Sequence, residues 1–260
     1  MIKLQYQKML WHWEVLAQLM SKEFKIKYKS TFLGYVWSIG TPLCLAFILD
    51  IAFRHVMRIQ IENYSLFLLS ALFAWHWFSN SVQFSNGSFL INASIIKKLN
   101  FPRFLVPLSS ILVDGLHFIF AIPIIMLFLW VYGKPIFHPS WIIGIPLLFT
   151  IQTMICYGLA LSISSINTIF RDMERIIGLG LTLLMYLTPV LFPLSMVPEK
   201  FKVYFHLNPI TNIIESWRLL FLEGHLDGSL IISANITAII LLIIGGFTYN
   251  KLSPRFAEVL

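Results

Sequence analysis

Six stretches of about 20 apolar residues, at roughly 33–53, 64–84, 104–132, 141–169, 176–194 and 229–249, constrain this chain more than anything else in it. A helix needs about that length to cross the hydrocarbon core of a bilayer. The remainder cannot clothe a water-soluble core: 58% of the 260 residues are hydrophobic, 12% are charged and the mean hydropathy is +0.79. In lipid each backbone polar group has to be satisfied within its own segment, so windows of this kind fold as helices. The expectation is an all-α polytopic membrane protein with six transmembrane helices, the third and fourth long enough to tilt.

Even span number puts both ends of the chain on one side, and the cations choose the side. With the N-terminus inside, the cytoplasmic segments hold 13 of the 19 lysines and arginines, which by the positive-inside rule predicts both termini in the cytoplasm. The net charge of +7 is thereby absorbed by topology and does not point to nucleic acid. Cys44 and Cys156 lie in apolar runs with no partner motif, which indicates neither a disulfide framework nor a metal site. The N-terminus lacks the order of a cleaved signal, so the first span is expected to serve as an uncleaved one.

Three segments are more than connectors. Over residues 1–32, Leu10, Trp13, Ala17, Met20 and Phe24 recur at helical spacing, predicting an amphipathic helix in the membrane interface. In the first inner loop, Ser94 can cap a short helix within 92–101 that has Ile95, Ile96 and Leu99 on one side and Pro102 as its stop. So short a helix is marginal alone and is expected to dock on something. The outer segment 195–227 carries two helix signals, at Pro198-Glu199 and at Asn208-Pro209, with Ile210, Ile213, Ile214, Trp217, Leu220 and Phe221 on one face of the second. Helices there, over about 197–223, would re-enter the membrane or lid a cavity. The organisation is therefore 1–32, a transmembrane domain over 33–250, and a cytoplasmic tail over 251–260.

Motifs for catalysis and for ATP binding are lacking, so ATP, if used, is bound by another chain. Asp50 and Asp114 lie within spans, each costing about 2.5–3.5 kcal/mol at mid-bilayer unless paired; Arg54 at i+4 and His117 at i+3 are local candidates. Aromatic side chains are dense around Tyr35, Trp37 and Trp75, either as helix packing and interfacial belts or as a lining on which sugar rings slide. The lysine collar just before span 1, Lys25, Lys27 and Lys29 with Lys22, either anchors on anionic lipid or meets the diphosphate of a lipid-linked substrate.

The run Lys22-Glu-Phe-Lys-Ile-Lys-Tyr-Lys-Ser-Thr-Phe-Leu-Gly-Tyr-Val-Trp37 with Thr41-Pro42-Leu43 resembles the basic opening of the membrane subunits of ABC-2 type polysaccharide exporters. Ile96 to Arg103 with Pro107-Leu108, Phe170-Arg-Asp172, Thr188-Pro189-Val190, and Val197-Pro-Glu199 followed by Asn208-Pro209 and Arg218 are similar to that family in the same order. The nearest resemblance is to permeases of lipopolysaccharide O-antigen exporters, with capsule and teichoic acid permeases sharing the plan. It implies a homodimer in the bacterial inner membrane, working with two copies of an ABC nucleotide-binding protein that holds ATP and Mg. The cargo implied is a polysaccharide on undecaprenyl diphosphate. Lys25, Lys27 and Lys29 would then guide the diphosphate, and Tyr35, Trp37 and Trp75 would flank its path. Ile95, Ile96, Lys97, Lys98, Leu99 and Phe101 would couple to the ATPase, and Pro209, Trp217 and Arg218 would shape the outer gate. A membrane enzyme acting on polyprenyl phosphates is the alternative of another class; it needs a tight cluster of carboxylates or histidines, and the seven histidines here are scattered.

Overall fold

The computed structural model of the protein describes residues 2–28, 34–56, 58 and 61–256. In chain order its helices are α1 (Ile2–Tyr28), α2 (Gly34–Asp50), α3 (Tyr64–Asn86), α4 (Ser88–Ile91), α5 (Ala93–Lys98) and α6 (Leu105–Val131). They continue with α7 (Trp141–Ile169), α8 (Met173–Tyr186), α9 (Glu199–Leu207), α10 (Thr211–Glu223) and α11 (Gly228–Leu252). No strand occurs among the described residues. The all-helical expectation holds.

Among the described residues three helices are long and apolar enough to cross a bilayer: α6, α7, and α11 with its short 3-10 extension. The second window forms the uninterrupted 23-residue α3, while the first and fifth fold differently. The first forms a 17-residue α2 that passes into a π-helical turn at Ile51–Val56. That turn spoils the i+4 register expected to join Asp50 with Arg54; Ser65 Oγ donates to Asp50 Oδ1 instead, at 2.9 Å. The fifth window gives only the 14-residue α8, because Pro189 offers no N–H to a helix and disfavours helical geometry at Thr188 before it.

The core gathers around α3, which is buried on nearly every side, with α6, α7 and α10 packed against it. By contrast α11 buries only Ala234, Ala238 and Gly245, the strip that meets α7. At the crossing, Gly158 and Gly245 bring the two backbones together so closely that a Cβ on either would strike the other helix. The ends of α3, α6, α7 and α11 then collect at one end of the bundle, tied by Asn167 Nδ2 donating to Asn86 O (3.1 Å), Tyr157 Oη to Phe104 O (3.2 Å) and the Phe89 ring on Phe256 (4.9 Å between centres). Lys97, Lys98, Arg103, Arg171, Arg175 and Lys251 belong to this basic end.

Helix α1 runs alongside α6 in the same direction: His12 meets Phe104 and, twelve residues on, Phe24 meets His117 (ring centres 6.2 and 5.4 Å apart). The face that packs is Leu16 and Leu19, both 6% exposed. The face expected from spacing lies elsewhere, with Trp13 67% and Leu10 43% exposed. The helix thus has two apolar sides, one on the protein and one exposed.

Candidate functional site

At the basic end, α5 is shorter than the sequence implies. It starts after Asn92 rather than at Ser94: Ile95 and Ile96 N–H groups donate to Asn92 O, while Leu99 is already extended (φ −117°, ψ 133°). The Asn92 side chain serves the neighbourhood, donating to Ser88 O (2.8 Å) and accepting from Lys22 Nζ of α1. Ile96 is buried against Leu19, Phe89, Leu105, Val106 and Phe256. Lys97, Lys98 and Leu99 are exposed and Ile95 and Phe101 are half-buried. Between α5 and α1 runs a groove of about 610 Å³, mainly apolar, with Trp11, Val15 and Leu19 on one wall and Ile95, Leu99 and Phe101 on the other.

The collar lysines part company. Lys25 is exposed. Lys27 turns into the bundle, where its ammonium lies 2.5 Å from Asp114 Oδ1 and 4.8 Å from the centre of the Phe84 ring. Lys29 lies outside the described residues, as does the Tyr35 side chain. His117 Nδ1 is 3.7 Å from the same Asp114 oxygen, so the local partner expected for Asp114 is present but is not its nearest one. Of the two aromatic candidates described, Trp37 is 58% exposed and Trp75 is 3% exposed, its ring tilted on Phe78.

At the opposite end the motifs around Thr188, Asn208 and Arg218 converge. Asn208 Nδ2 donates to Leu187 O (3.0 Å) and Thr188 Oγ1 (2.8 Å), and its Oδ1 accepts from Ile210 N across the half-buried Pro209. Arg218, 4% exposed, donates through Nη2 to Pro189 O and through Nη1 to Glu215 Oε1, both at 2.6 Å, with its guanidinium 3.9 Å from the Phe67 ring centre. Trp217, fully buried, donates Nε1–H to Gln152 Oε1 at 2.6 Å and sets its ring edge-on to Phe118 at 4.7 Å. Helix α10 is therefore wedged among α3, α7 and α11 and clamps the Thr188-Pro189-Val190 turn that follows α8. Helix α9 buries nothing fully, and Asp227 caps α11: its carboxylate accepts from the Ser229 hydroxyl and from the Ser229 and Leu230 amides, which hold it below the usual carboxylate range.

Residues 14–222 match the pattern of the ABC-2 type transporter family. The chain belongs to that family. An O-antigen export system permease protein RfbA of Klebsiella pneumoniae is 44% identical over 247 residues, covering 95% of each chain. A protein of the same name in Myxococcus xanthus is 27% identical with 94% of each covered. The polysialic acid transport protein KpsM of Escherichia coli is 22% identical, with about four-fifths of each chain covered.

As an ABC-2 transporter chain it is the membrane subunit of a transporter, in keeping with the want of any nucleotide motif. No group of three or more potential metal ligands occurs among the described residues. Sequence reasoning missed four contacts that organise this ABC-2 subunit: Lys22 to Asn92, Lys27 to Asp114, Glu215 to Arg218 and Gln152 to Trp217. For Asp114 the signal was there, since an acid in an apolar run demands a cation. The distance of 87 residues along the chain hid which one.

Proposed function

We propose that this chain is the permease subunit of an ATP-driven exporter that moves an undecaprenyl-diphosphate-linked O-antigen polysaccharide across the bacterial inner membrane. Identity of 44% along almost the whole length to a protein named for O-antigen export carries the reading. The 22% relative named for polysialic acid transport keeps capsule export as the second reading. Two copies of the chain, each with six spans and cytoplasmic termini, would enclose the path. Support for pairing comes from α8, none of whose residues is fully buried and whose Ile176, Leu179 and Leu183 are more than half exposed.

Two copies of the ATPase would seat on the basic end, each pressing an apolar element into the groove between α1 and α5 beside Leu99 and Phe101, with Lys97 and Lys98 facing it. A groove of 610 Å³ with an exposed leucine on its lip is the kind of surface a partner covers. Lys25, Lys27 and Lys29 meet the diphosphate at the cytoplasmic face, Tyr35, Trp37 and Trp75 flank the path or hold its wall, and α9 and α10 gate the exit around Pro209, Trp217 and Arg218. The test is a deletion strain complemented with the wild-type gene. Lipid-linked O-antigen polymer trapped inside the deletion strain and surface O-antigen restored by the gene is the expected result. No trapped polymer in the deletion strain sinks the proposal, and trapped capsular polymer in its place favours the second reading.

A further inference from the structure

Asp114 lies nine residues into α6, about 14 Å along a helix rising 1.5 Å per residue, and is 4% exposed. Lys27 is drawn down to it from the last turn of α1, its side chain 20% exposed, gripped between the carboxylate and the Phe84 ring. The second oxygen, Oδ2, has no hydrogen-bond partner among the described residues. Asp114 borders a small cavity of about 40 Å³ shared with His76, Asn80 and His117. Five residues back along α1, Lys22 holds Asn92 at the start of α5, and further back Gln18, Val15 and Trp11 wall the groove against Leu99. One helix thus joins a buried ion pair to the groove.

We infer that Lys27 and Asp114 form a latch, which a lipid-borne phosphate opens by taking the ammonium from the carboxylate, and that release of α1 signals to the groove that a substrate is loaded. This rests on the collar being the entry point of the lipid-linked substrate. The competition is between two anions for one cation, and a diphosphate offers more charge and more acceptor oxygens than a carboxylate. Exchange is feasible because Asp114 is not abandoned: His117 Nδ1 already lies 3.7 Å from its Oδ1. With Lys27 gone from α6, the end of α1 loses its ionic tie to the bundle, and the strain is felt at the Lys22 to Asn92 contact beside α5.

The test is ATP hydrolysis by the whole complex in phosphatidylcholine nanodiscs, with and without polyprenyl diphosphate, with phosphatidylglycerol, and with soluble pyrophosphate. Wild type should be stimulated about fivefold or more by a lipid phosphate, the lower end of ordinary allosteric coupling. Whichever lipid does so identifies the phosphate that opens the latch; stimulation by neither lipid overturns it. Asp114→Asn should hydrolyse at the stimulated rate without lipid and respond no further. The exchange Lys27→Asp with Asp114→Lys keeps the pair but offers phosphate a carboxylate, so neither lipid should stimulate it. A merely structural pair predicts the opposite, with the exchanged protein stimulated like wild type. Should the exchanged protein fail to insert, Lys27→Arg, which keeps both the pair and the cation, is expected to respond as wild type does, against an unresponsive Asp114→Asn; a wild-type response from Asp114→Asn overturns the latch. Export by the wild-type gene is read separately and stands whichever way the latch falls.

Discussion

Arg218 carries a charge that has been taken out of water and repaid only locally, by Glu215, two backbone carbonyls and an aromatic face. Removing it strands the Glu215 carboxylate and frees Pro189 O, and breaking a buried pair from one side costs about 3–5 kcal/mol. Arg218→Ala should therefore lower the midpoint of thermal unfolding of the purified protein sharply, with Arg218→Lys in between because an ammonium cannot span both partners in one plane. A midpoint unchanged in Arg218→Ala would mean that the knot around Pro189 does not depend on it. Asp227 is a milder case at the surface. Its carboxyl is held down by the Ser229 hydroxyl and by two amides, so the folded value lies below the unfolded one. The contribution is present above the unfolded value of about 3.9 and disappears as pH falls through the lower, folded value. Amide exchange at Ser229 and Leu230 should be slow and level from neutral pH down to about 5, once corrected for intrinsic rates, and lose protection below about 4. Asp227→Ala should remove that acid-side change by removing the cap.

At the scale of elements, the tightest joint is α7 on α11 at Gly158 and Gly245, where the first atom of any side chain meets the opposing backbone. Small residues that let helix backbones touch are a main source of association in membranes, where burial of apolar surface gives none. Gly158→Ala and Gly245→Ala should each reduce the amount of folded protein in the membrane and its unfolding temperature. Gly246→Ala, next door with open space around it, should not. Equal behaviour of Gly245→Ala and Gly246→Ala would remove the crossing as the reason. Much of this level was legible in the sequence: helices fill the second, third, fourth and sixth windows, one precedes the first, and a short one near 92–101 and two at 197–223 exist, while the first and fifth windows gave shorter helices. What escaped has physical causes. A π-helical turn leaves no mark in an apolar run, as at Ile51–Val56. The face of α1 that packs could not be told from the face left outside, because both are apolar and only tertiary contact separates Leu16 and Leu19 from Leu10 and Trp13. The start of α5 went to Asn92 because its carbonyl, already turned into a helical bend behind α4, accepted the first bonds before Ser94 was reached. The knot at the end opposite the basic one was legible as motifs, Thr188-Pro189-Val190 and Asn208-Pro209 with Arg218, but only folding brings those three stretches onto one another.

For the whole molecule, the proposed export requires that force from an ATPase at the basic end reach the long helices. The residues of the 93–101 segment divide the work. Ile96 is 5% exposed within a second small core that binds α5 to Leu19 of α1, to Phe89, to the start of α6 and to Phe256 beyond α11. Leu99, three residues on, is 61% exposed on the lip of the groove. Were the proposed ATPase to seat on Leu99, a push there would pass through Ile96 to the ends of several long helices at once. Asp in the two positions should separate the roles. Ile96→Asp buries an unpaired charge among apolar side chains and should deplete the protein from the membrane. Leu99→Asp leaves that core intact, so the protein should insert at the normal level, while surface O-antigen falls by about tenfold or more if the mutation removes an apolar contact worth 1.4 kcal/mol or more at the partner interface. Membrane quantity and surface polysaccharide, measured on the same cells, decide it. Normal export by Leu99→Asp at normal level would take the exposed lip out of the coupling path and leave the groove without its proposed occupant.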